Sequence, residues 1–222
     1  MPFLDRNEAG QQLAKALRIF RRQHPIVLAL PRGGVPVAAE VARALRAPLD
    51  LLIVRKIGVP FHPELAMGAV VDGAEPILVR NEQVIRIAGV SEKDFVEVRD
   101  RELAEIERRR QLYVAKRPFP NLTDRTVIVI DDGIATGATM KAALQALRSR
   151  RPRRLILAVP VAATDSLEML RDKADAVVCL ESHAELGAIG RYYYDFRQIA
   201  DAEVIETLAS FPFDGATTAP GT

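Results

Sequence analysis

Apolar runs alternate with helix-like stretches along most of the chain. The helix-like stretches place apolar residues three and four positions apart, whereas the runs between them are continuous, as in strands buried on both faces. This alternation is typical of a parallel sheet covered by crossover helices. It predicts an α/β protein with a three-layer core of about five parallel strands, at residues 26–30, 49–54, 126–131, 154–162 and 175–180.

Capping residues mark the starts of two helices. Asp5 precedes a stretch in which Leu13 and Leu17 share one face, so we expect Asp5 to cap a first helix. Ser91, followed three positions later by Asp94, resembles a capping box with Asp in place of Glu or Gln, and predicts a helix to about residue 113. Further helices are predicted at 35–45, 138–148 and 166–173.

Residues 55–80 interrupt the alternation. Glycines and prolines separate short apolar pieces in this segment, and such residues favour turns. The segment is either a long loop or a hairpin-like excursion from the sheet. Long loops inside compact domains commonly have a function, so the segment is a candidate active-site element.

Composition and charge restrict the class of protein. With 222 residues, 49% of them hydrophobic and 27% charged, the chain suits one well-packed domain and is too apolar to be disordered. Its formal charge of +2 predicts no nucleic-acid or membrane partner. The arginine-rich stretches at 108–110 and 148–154 are interpreted as surface charge, although 108–110 could instead hold phosphate or cross a dimer interface, and 148–154 could contact RNA.

Sequence features also bear on location. Cys179 is the single cysteine and lies in an apolar run, which fits a buried thiol in a reducing compartment. The first residues lack the apolar stretch of a signal peptide, and no apolar run approaches the about 18 residues of a membrane span. The sequence therefore predicts a cytoplasmic protein.

The segment VIVIDDGIATGAT, residues 127–139, carries the most chemical information. A buried-type strand ends in Asp131 and Asp132, and small residues then lead into a helix at the carboxyl edge of the sheet, where open α/β sheets bind ligands. Backbone N–H groups, hydroxyls and the helix dipole there favour a phosphate. The two carboxylates would accept hydrogen bonds from vicinal hydroxyls or interact with hydrated Mg²⁺, and a phosphorylated ribose has both features.

This segment resembles the phosphoribosyl pyrophosphate (PRPP) motif of type I phosphoribosyltransferases. The resemblance implies that Asp131 and Asp132 hold the 2′- and 3′-hydroxyls of ribose. It also implies Mg²⁺ held mainly through PRPP and water, with the same two residues as candidate ligands. The 5′-phosphate would be wrapped by Ala135, Thr136, Gly137, Ala138 and Thr139.

Two upstream segments are similar to further parts of that family. LPRGG, residues 30–34, is similar to its pyrophosphate loop, which implies binding by Arg32, Gly33 and Gly34 and a non-proline cis peptide next to Arg32. The pair Arg55 and Lys56 is similar to the start of the flexible catalytic loop in orotate- and adenine-type members, which implies that it neutralises the leaving pyrophosphate.

The chain departs from the orotate pattern after this pair. That pattern has another lysine soon afterwards, whereas no basic residue follows here until His62. His62 and Glu64 are either exposed loop residues or participants in charge stabilisation and proton transfer.

The aromatic segment GAIGRYYYDF, residues 187–196, is similar to the hood that covers the base in this family. The resemblance implies that Tyr192, Tyr194 and Asp195 contact a purine-like base, although packing of a short terminal layer explains the aromatics equally well. The expected organisation is one domain at 1–212 and a disordered tail at 213–222. Within the domain we expect an N-terminal helix at 1–22, a core at 23–182 with a flexible loop at 57–80, and a hood at 183–212.

The resemblance implies a Mg²⁺-dependent pentosyltransferase of nucleotide salvage, acting as a homodimer. It would transfer 5-phosphoribosyl from PRPP to a nitrogenous base and release pyrophosphate, with Asp131, Asp132, Arg55 and Lys56 as catalytic residues. Two alternatives stay open: a PRPP- or nucleotide-sensing regulator with little turnover, and an enzyme that hydrolyses or phosphorolyses a nucleotide.

Overall fold

The computed structural model describes residues 2–73, 75–115 and 117–211. Its strands are β1 (Ile26–Ala29), β2 (Leu49–Leu51), β3 (Val54–Val59), β4 (His62–Val71), β5 (Ile77–Arg80), β6 (Thr126–Ile130), β7 (Arg154–Ala163) and β8 (Ala176–His183). Its α-helices are α1 (Arg6–Leu17), α2 (Gly34–Leu45), α3 (Glu82–Ile87), α4 (Glu92–Val114), α5 (Ala138–Ser149), α6 (Thr164–Leu170) and α7 (Asp201–Ala209). Short 3-10 segments lie at Arg18–Gln23, Arg171–Lys173 and Ile189–Tyr192.

A parallel sheet in the order β2-β1-β6-β7-β8 forms the centre of the molecule. Successive residues of each strand point to opposite faces. Val27 and Ile128 pack with α1 and α2, whereas Leu28 and Val129 pack with α5 and α6. Burial on both faces explains the continuous apolar runs, and it confirms the predicted α/β class with five parallel strands.

A second, antiparallel sheet in the order β3-β4-β5 occupies most of the segment 57–80. Of the two sequence-based interpretations, the hairpin-like excursion is therefore the one that the structure shows. The predicted strand 49–54 was wrong in its extent, because β2 ends at Leu51 and Val54 already begins β3. Leu52 and Ile53 are buried between these strands, which is why the apolar run continues across the junction.

The predicted helix starts agree with the structure. The Asp5 carboxylate accepts a hydrogen bond from the Glu8 N–H at 2.8 Å and caps α1. The Ser91 hydroxyl oxygen accepts one from the Asp94 N–H at 3.2 Å and caps α4, which extends to Val114. Strand β5 and helices α3 and α7 were not predicted.

The N-terminal segment joins the C-terminal part of the domain. The Phe3 N–H donates to the Tyr192 carbonyl oxygen, and the Tyr194 N–H donates to the Phe3 carbonyl oxygen, both at 2.8 Å. The predicted tail at 213–222 lies outside the described residues. Among the residues that the structure describes, no helix is both long and apolar enough to cross a bilayer.

Candidate active site

The carboxyl ends of β1, β2 and β6 lie side by side at one edge of the central sheet. The Leu30 N–H donates to the Ile130 carbonyl oxygen at 2.9 Å, and the Leu52 N–H donates to the Ala29 carbonyl oxygen at 2.9 Å. The loop after β1, residues 30–34, therefore lies next to the acidic residues that follow β6. The sequence placed both segments at this edge, and the structure brings them into contact.

Gly33 and Gly34 permit this contact because they have no side chain. A Cβ on Gly33 would overlap the Asp132 carboxylate, and one on Gly34 would lie 2.8 Å from the Ile130 carbonyl oxygen and 2.9 Å from the Asp131 Cα. Glycine suits a position where another backbone or an acidic side chain comes this close. The expected cis peptide is present between Pro31 and Arg32.

Asp131 and Asp132 form a pair of neighbouring acids. The Asp132 N–H donates to Asp131 Oδ1 at 2.8 Å. Burial, followed by the charge of Asp132, holds the pKa of Asp131 well above its usual range. Asp131 therefore binds a proton readily in the absence of ligand, and hydroxyl donors or a cation beside it would favour its ionised form.

Arg6, at the start of α1, binds the second of these acids. Its Nε donates to Asp132 Oδ2 at 2.8 Å, and only 8% of the arginine side chain is exposed. The carbonyl oxygen of Asp132 accepts a hydrogen bond from the buried Tyr193 hydroxyl at 2.5 Å. Sequence reasoning missed both residues, since nothing in the local pattern marks them as neighbours of Asp132.

The candidate phosphate loop is exposed where a ligand would approach and anchored from behind. Ala135, Thr136, Ala138 and Thr139 are exposed. Gly137 adopts a φ of 72° and caps α5 without a side chain, which leaves the helix N terminus accessible to an anion.

The rest of the structure anchors this loop at three points. Ile134 exchanges backbone hydrogen bonds with Val161 and Ala163 of β7, at 3.0 and 2.9 Å. The Ser166 hydroxyl of α6 donates to the Ala135 carbonyl oxygen at 2.6 Å. These contacts fix the loop at the carboxyl edge of the central sheet.

A groove of about 310 Å³ runs from this loop between α5 and the small sheet. Thr136, Ala138 and Lys141 line it on one side, and Gly68 and Arg80 on the other. Lys141 is one helical turn beyond Ala138 on the same face of α5, and helical side chains lean toward the N terminus. This half-buried lysine is a further candidate cation for the loop, and the sequence motif did not include it.

Arg32, which was predicted to bind pyrophosphate, lies against helix α7. Its Nη1 is 3.4 Å from Asp201 Oδ1, and the same oxygen accepts a hydrogen bond from the Tyr113 hydroxyl at 2.5 Å. Burial and the carboxylate of Asp201 raise the pKa of Tyr113 to about 12, which keeps the hydroxyl a donor. Arg32 thus connects the loop 30–34 to α4 and α7 through Asp201.

Arg55 and Lys56 lie in β3, rather than at the end of a core strand as the sequence predicted. Arg55 Nε donates to Glu102 Oε2 of α4 at 2.7 Å, and Lys56 Nζ is 3.1 Å from Glu64 Oε2. They share a cleft with Glu64 that includes no residue of the loop 131–139. His62 is exposed and packs edge-on against Phe61.

The tyrosines of the hood differ in their surroundings. Tyr192 packs against His183 at 4.4 Å between ring centroids, Tyr194 is 72% exposed, and Asp195 accepts the Arg197 N–H at 3.0 Å. Tyr193, which was not among the predicted base-binding residues, is the one that contacts Asp132. The aromatic segment 187–196 therefore adjoins the acidic pair through Tyr193, while Tyr194 faces solvent.

Known proteins are similar to this chain in sequence and in fold. A sequence model of the phosphoribosyl transferase domain matches residues 4–196. Proteins from two strains of Mycobacterium tuberculosis, named as phosphoribosyl transferases, are each 44% identical over 206 residues, or 93% of this chain. The crystal structure of TT1426 from Thermus thermophilus has a TM-score of 0.79 and 40% identity, over 95% of this chain and 99% of that one.

The fraction of each relative's length that this chain matches differs between the relatives. The match covers 46% of each Mycobacterium tuberculosis protein, so the chain spans about half the length of these curated relatives. The Thermus thermophilus protein, by contrast, is matched over nearly its whole length.

Proposed function

The chain belongs to the phosphoribosyl transferase domain family, and on that premise we propose that it transfers the 5-phosphoribosyl group of PRPP to a nitrogenous base. One observation carries the proposal: the Asp131–Asp132 pair lies between the glycines of the loop 30–34 and the exposed loop 135–139. Acceptors for a diol and two anion-binding loops therefore meet at one edge of the sheet, as a phosphorylated ribose requires.

The reaction needs positioning and charge stabilisation more than covalent chemistry. A nitrogen of the base attacks ribose C1′, the bond from C1′ to the pyrophosphate oxygen breaks, and positive charge develops on the ring. Asp131 and Asp132 accept hydrogen bonds from the 2′- and 3′-hydroxyls, and residues 135–139 with Lys141 hold the 5′-phosphate. Fixing the reactants in this way supplies much of the rate enhancement.

The leaving pyrophosphate requires cations. Arg32, Gly33 and Gly34 bind it from the loop after β1, and Arg55 and Lys56 neutralise it from β3. Because Arg55 and Lys56 line a separate cleft and bind Glu102 and Glu64, we propose that the small sheet moves toward the loops when PRPP binds. Such closure would exclude water from the reacting groups.

The residues present fit a Mg²⁺ ion that is held chiefly by the substrate. Among the described residues, no group of three or more His, Cys, Asp or Glu side chains could hold a metal ion. Mg²⁺ commonly binds one or two carboxylates and completes its shell with water and substrate phosphates. Asp131 and Asp132 would be those carboxylates, and the ion would neutralise charge on the diphosphate.

We further propose a purine-like acceptor, contacted by Tyr192, Tyr194 and Asp195, and a cytoplasmic homodimer acting in nucleotide salvage. The exposure of the Tyr194 side chain supports the purine-like acceptor, because an exposed aromatic ring is available for stacking. Light scattering of the purified protein would measure its oligomeric state, and a monomer at working concentration would contradict the dimer.

The transfer is tested by incubating the protein with Mg²⁺, PRPP and a pool of purine, pyrimidine and pyridine bases, followed by mass spectrometry. We expect one nucleotide from the unaltered protein and at least a tenfold lower yield from Asp131→Asn, which loses a charged acceptor for ribose. Asp131 is the better choice of the two acids, since changing Asp132 also deprives Arg6 of its partner.

Each other result contradicts a definite part of the proposal. If PRPP binds but no base yields a nucleotide, transfer to these bases is wrong and a PRPP-sensing regulator is favoured. If Asp131→Asn is as active as the unaltered protein, the placement of the ribose is wrong.

A further inference from the structure

Arg6 is a buried cation that contacts both an acid and the C-terminal part of the domain. Its Nε donates to Asp132 Oδ2 at 2.8 Å, and its Nη1 donates to the Arg197 carbonyl oxygen at 2.9 Å. The Arg6 Cζ lies 3.9 Å from the centroid of the Phe196 ring. Only 7% of the residue is exposed. Burying a guanidinium is costly unless it is paired and hydrogen-bonded, so this arrangement is strongly specified.

The contact of Arg6 with Asp132 restrains both acids, Asp131 and Asp132. The Asp132 side chain is held through Oδ2 by Arg6, and its carbonyl oxygen is held by the Tyr193 hydroxyl. Its N–H in turn donates to Asp131 Oδ1. Because the three contacts lie on different atoms, Asp132 has little freedom to rotate. The orientation of the Asp131 carboxylate depends on the position of Asp132, since it accepts the Asp132 N–H.

The three elements that meet at Arg6 come from distant parts of the chain. Arg6 begins α1, Asp132 follows β6, and Arg197 and Phe196 belong to the hood. A purely structural ion pair would hold α1 and the hood on the sheet and would do nothing more. A pair that also sets the carboxylate orientation would change how the site recognises a diol.

We propose that Arg6 is a positioning residue for the ribose diol. It holds Asp132, and through Asp132 also Asp131, in the orientation in which the two carboxylates accept hydrogen bonds from vicinal hydroxyls. The inference rests on the proposed function, because it assumes that this pair binds the ribose of a phosphorylated sugar. Arg6 itself touches no reacting atom in this account.

The test compares ribose 5-phosphate with 2-deoxyribose 5-phosphate, which lacks one hydroxyl of the diol, by calorimetric titration of the full chain. Arg6→Met removes the cation, and Arg6→Lys retains the charge. The matched control is Arg43→Met, since Arg43 lines the same surface pocket but pairs with Glu40 instead of Asp132. The ratio of the two dissociation constants is measured on each preparation, so overall losses of affinity cancel.

We expect the unaltered protein and Arg43→Met to prefer ribose 5-phosphate. Arg6→Met should lose about tenfold of that preference, as expected when hydrogen bonds to a charged group are lost, and should bind the deoxy sugar nearly as before. Arg6→Lys should give an intermediate ratio, because it keeps a charge but not the geometry of the guanidinium.

Two results would overturn the inference, and they differ in what they say about the proposed function. If both Arg6 variants weaken the two sugars equally, or leave both unchanged, Arg6 is only structural and the ribose site itself stands. If the unaltered protein does not distinguish the two sugars, there is no diol site for Arg6 to position, and the ribose-binding part of the proposed function fails too.

Discussion

Gly33 lacks a Cβ atom at the point where the Asp132 carboxylate approaches the loop 30–34. Its backbone has an ordinary helical conformation, with φ of −58°, so its conformation does not demand glycine. The demand comes from the Asp132 carboxylate, which occupies the space that a Cβ would fill. The sequence PRGG marks a strand-to-helix turn, and only the neighbouring loop explains why its third residue has no side chain.

We predict that Gly33→Ala lowers PRPP affinity at least tenfold, because the added methyl group must displace Asp132 from its position beside Arg6. Titration of the purified variant with PRPP measures this. Gly89→Ala is the control, since a Cβ there meets no atom within 4 Å and the residue carries only the conformational cost of a φ of 63°.

The control should lose about 1 kcal/mol of stability and keep the affinity of the unaltered protein. Unchanged PRPP binding by Gly33→Ala would show that the contact between the two loops does not matter for the ligand.

Residue-scale prediction from sequence succeeded where neighbours in the chain are neighbours in space. Asp5 and Ser91 cap their helices through atoms only three residues away. Arg6 and Tyr193 were missed because their contacts with Asp132 span 126 and 61 positions of the chain. No local pattern encodes such a distance.

The small sheet is the element whose role depends most on its neighbours. Arg55 and Lys56 lie in β3, and Arg55 is held by Glu102 from α4, whose side chain is 13% exposed. Helix α4 therefore does more than present a charged surface, because it fixes the direction of a candidate catalytic arginine. The sequence analysis interpreted the arginines at 108–110 of this helix as surface charge and did not anticipate the contact of Glu102.

We predict that Glu102→Gln lowers kcat/KM for PRPP about tenfold, because the neutral amide holds the Arg55 guanidinium less firmly than the carboxylate does. Steady-state kinetics with the acceptor base found in the transfer experiment would measure the effect. Glu107→Gln is the matched control, since Glu107 is on the same helix and contacts only Gln111 in the described structure. Equal losses in both variants would count against a specific role for Glu102.

Element-scale prediction failed at the junction between the two sheets. Residues 49–54 form one continuous apolar run, yet the central sheet takes only Leu49–Leu51. Periodicity measures burial, and Leu52 and Ile53 are as buried as the strand residues before them. The place where the chain leaves the sheet is therefore invisible in the pattern.

At the scale of the whole molecule, Asp72 joins the two sheets and α4. It follows β4, accepts the Ile53 N–H at 2.8 Å, and binds Arg110 of α4 at 3.0 Å. Burial raises the pKa of Asp72 to about 7, although Arg110 opposes this shift. Arg110 thus belongs to a buried ion pair, whereas the sequence analysis interpreted the stretch 108–110 as surface charge or a phosphate or dimer contact.

The raised pKa of Asp72 predicts a pH dependence of stability. Between the reference pKa of 3.8 and about 7, the folded protein keeps this proton while the unfolded chain has lost it. The free energy of unfolding should therefore fall as the pH rises through this window, and level off above it. The Asn side chain cannot ionise, so Asp72→Asn should lose this contribution.

Urea unfolding at pH 5 and at pH 8 checks this expectation. The stability of Asp72→Asn relative to the unaltered protein should increase from pH 5 to pH 8. Asp100→Asn is the control, because Asp100 is exposed and pairs with Arg99 on the surface. If the free energy of unfolding of Asp72→Asn differs from that of the unaltered protein by the same amount at pH 5 and at pH 8, the raised pKa of Asp72 is contradicted.

The sequence by itself determined the α/β class, the order of the five core strands along the chain, and the candidate segment 131–139 at the carboxyl end of one strand, whereas the segment 30–34 was singled out by the family resemblance. It could do so because burial on both faces produces continuous apolar runs, and because small residues and paired acids after a strand have few other uses.

Only the tertiary structure decided which side chains act on one another. The ion pair of Arg6 with Asp132, the Tyr193 hydrogen bond, and the partners of Arg55 and Arg32 all join residues far apart in the chain. Their physical origin is packing: each charge buried by folding needs a partner, and the fold determines which residue is near enough.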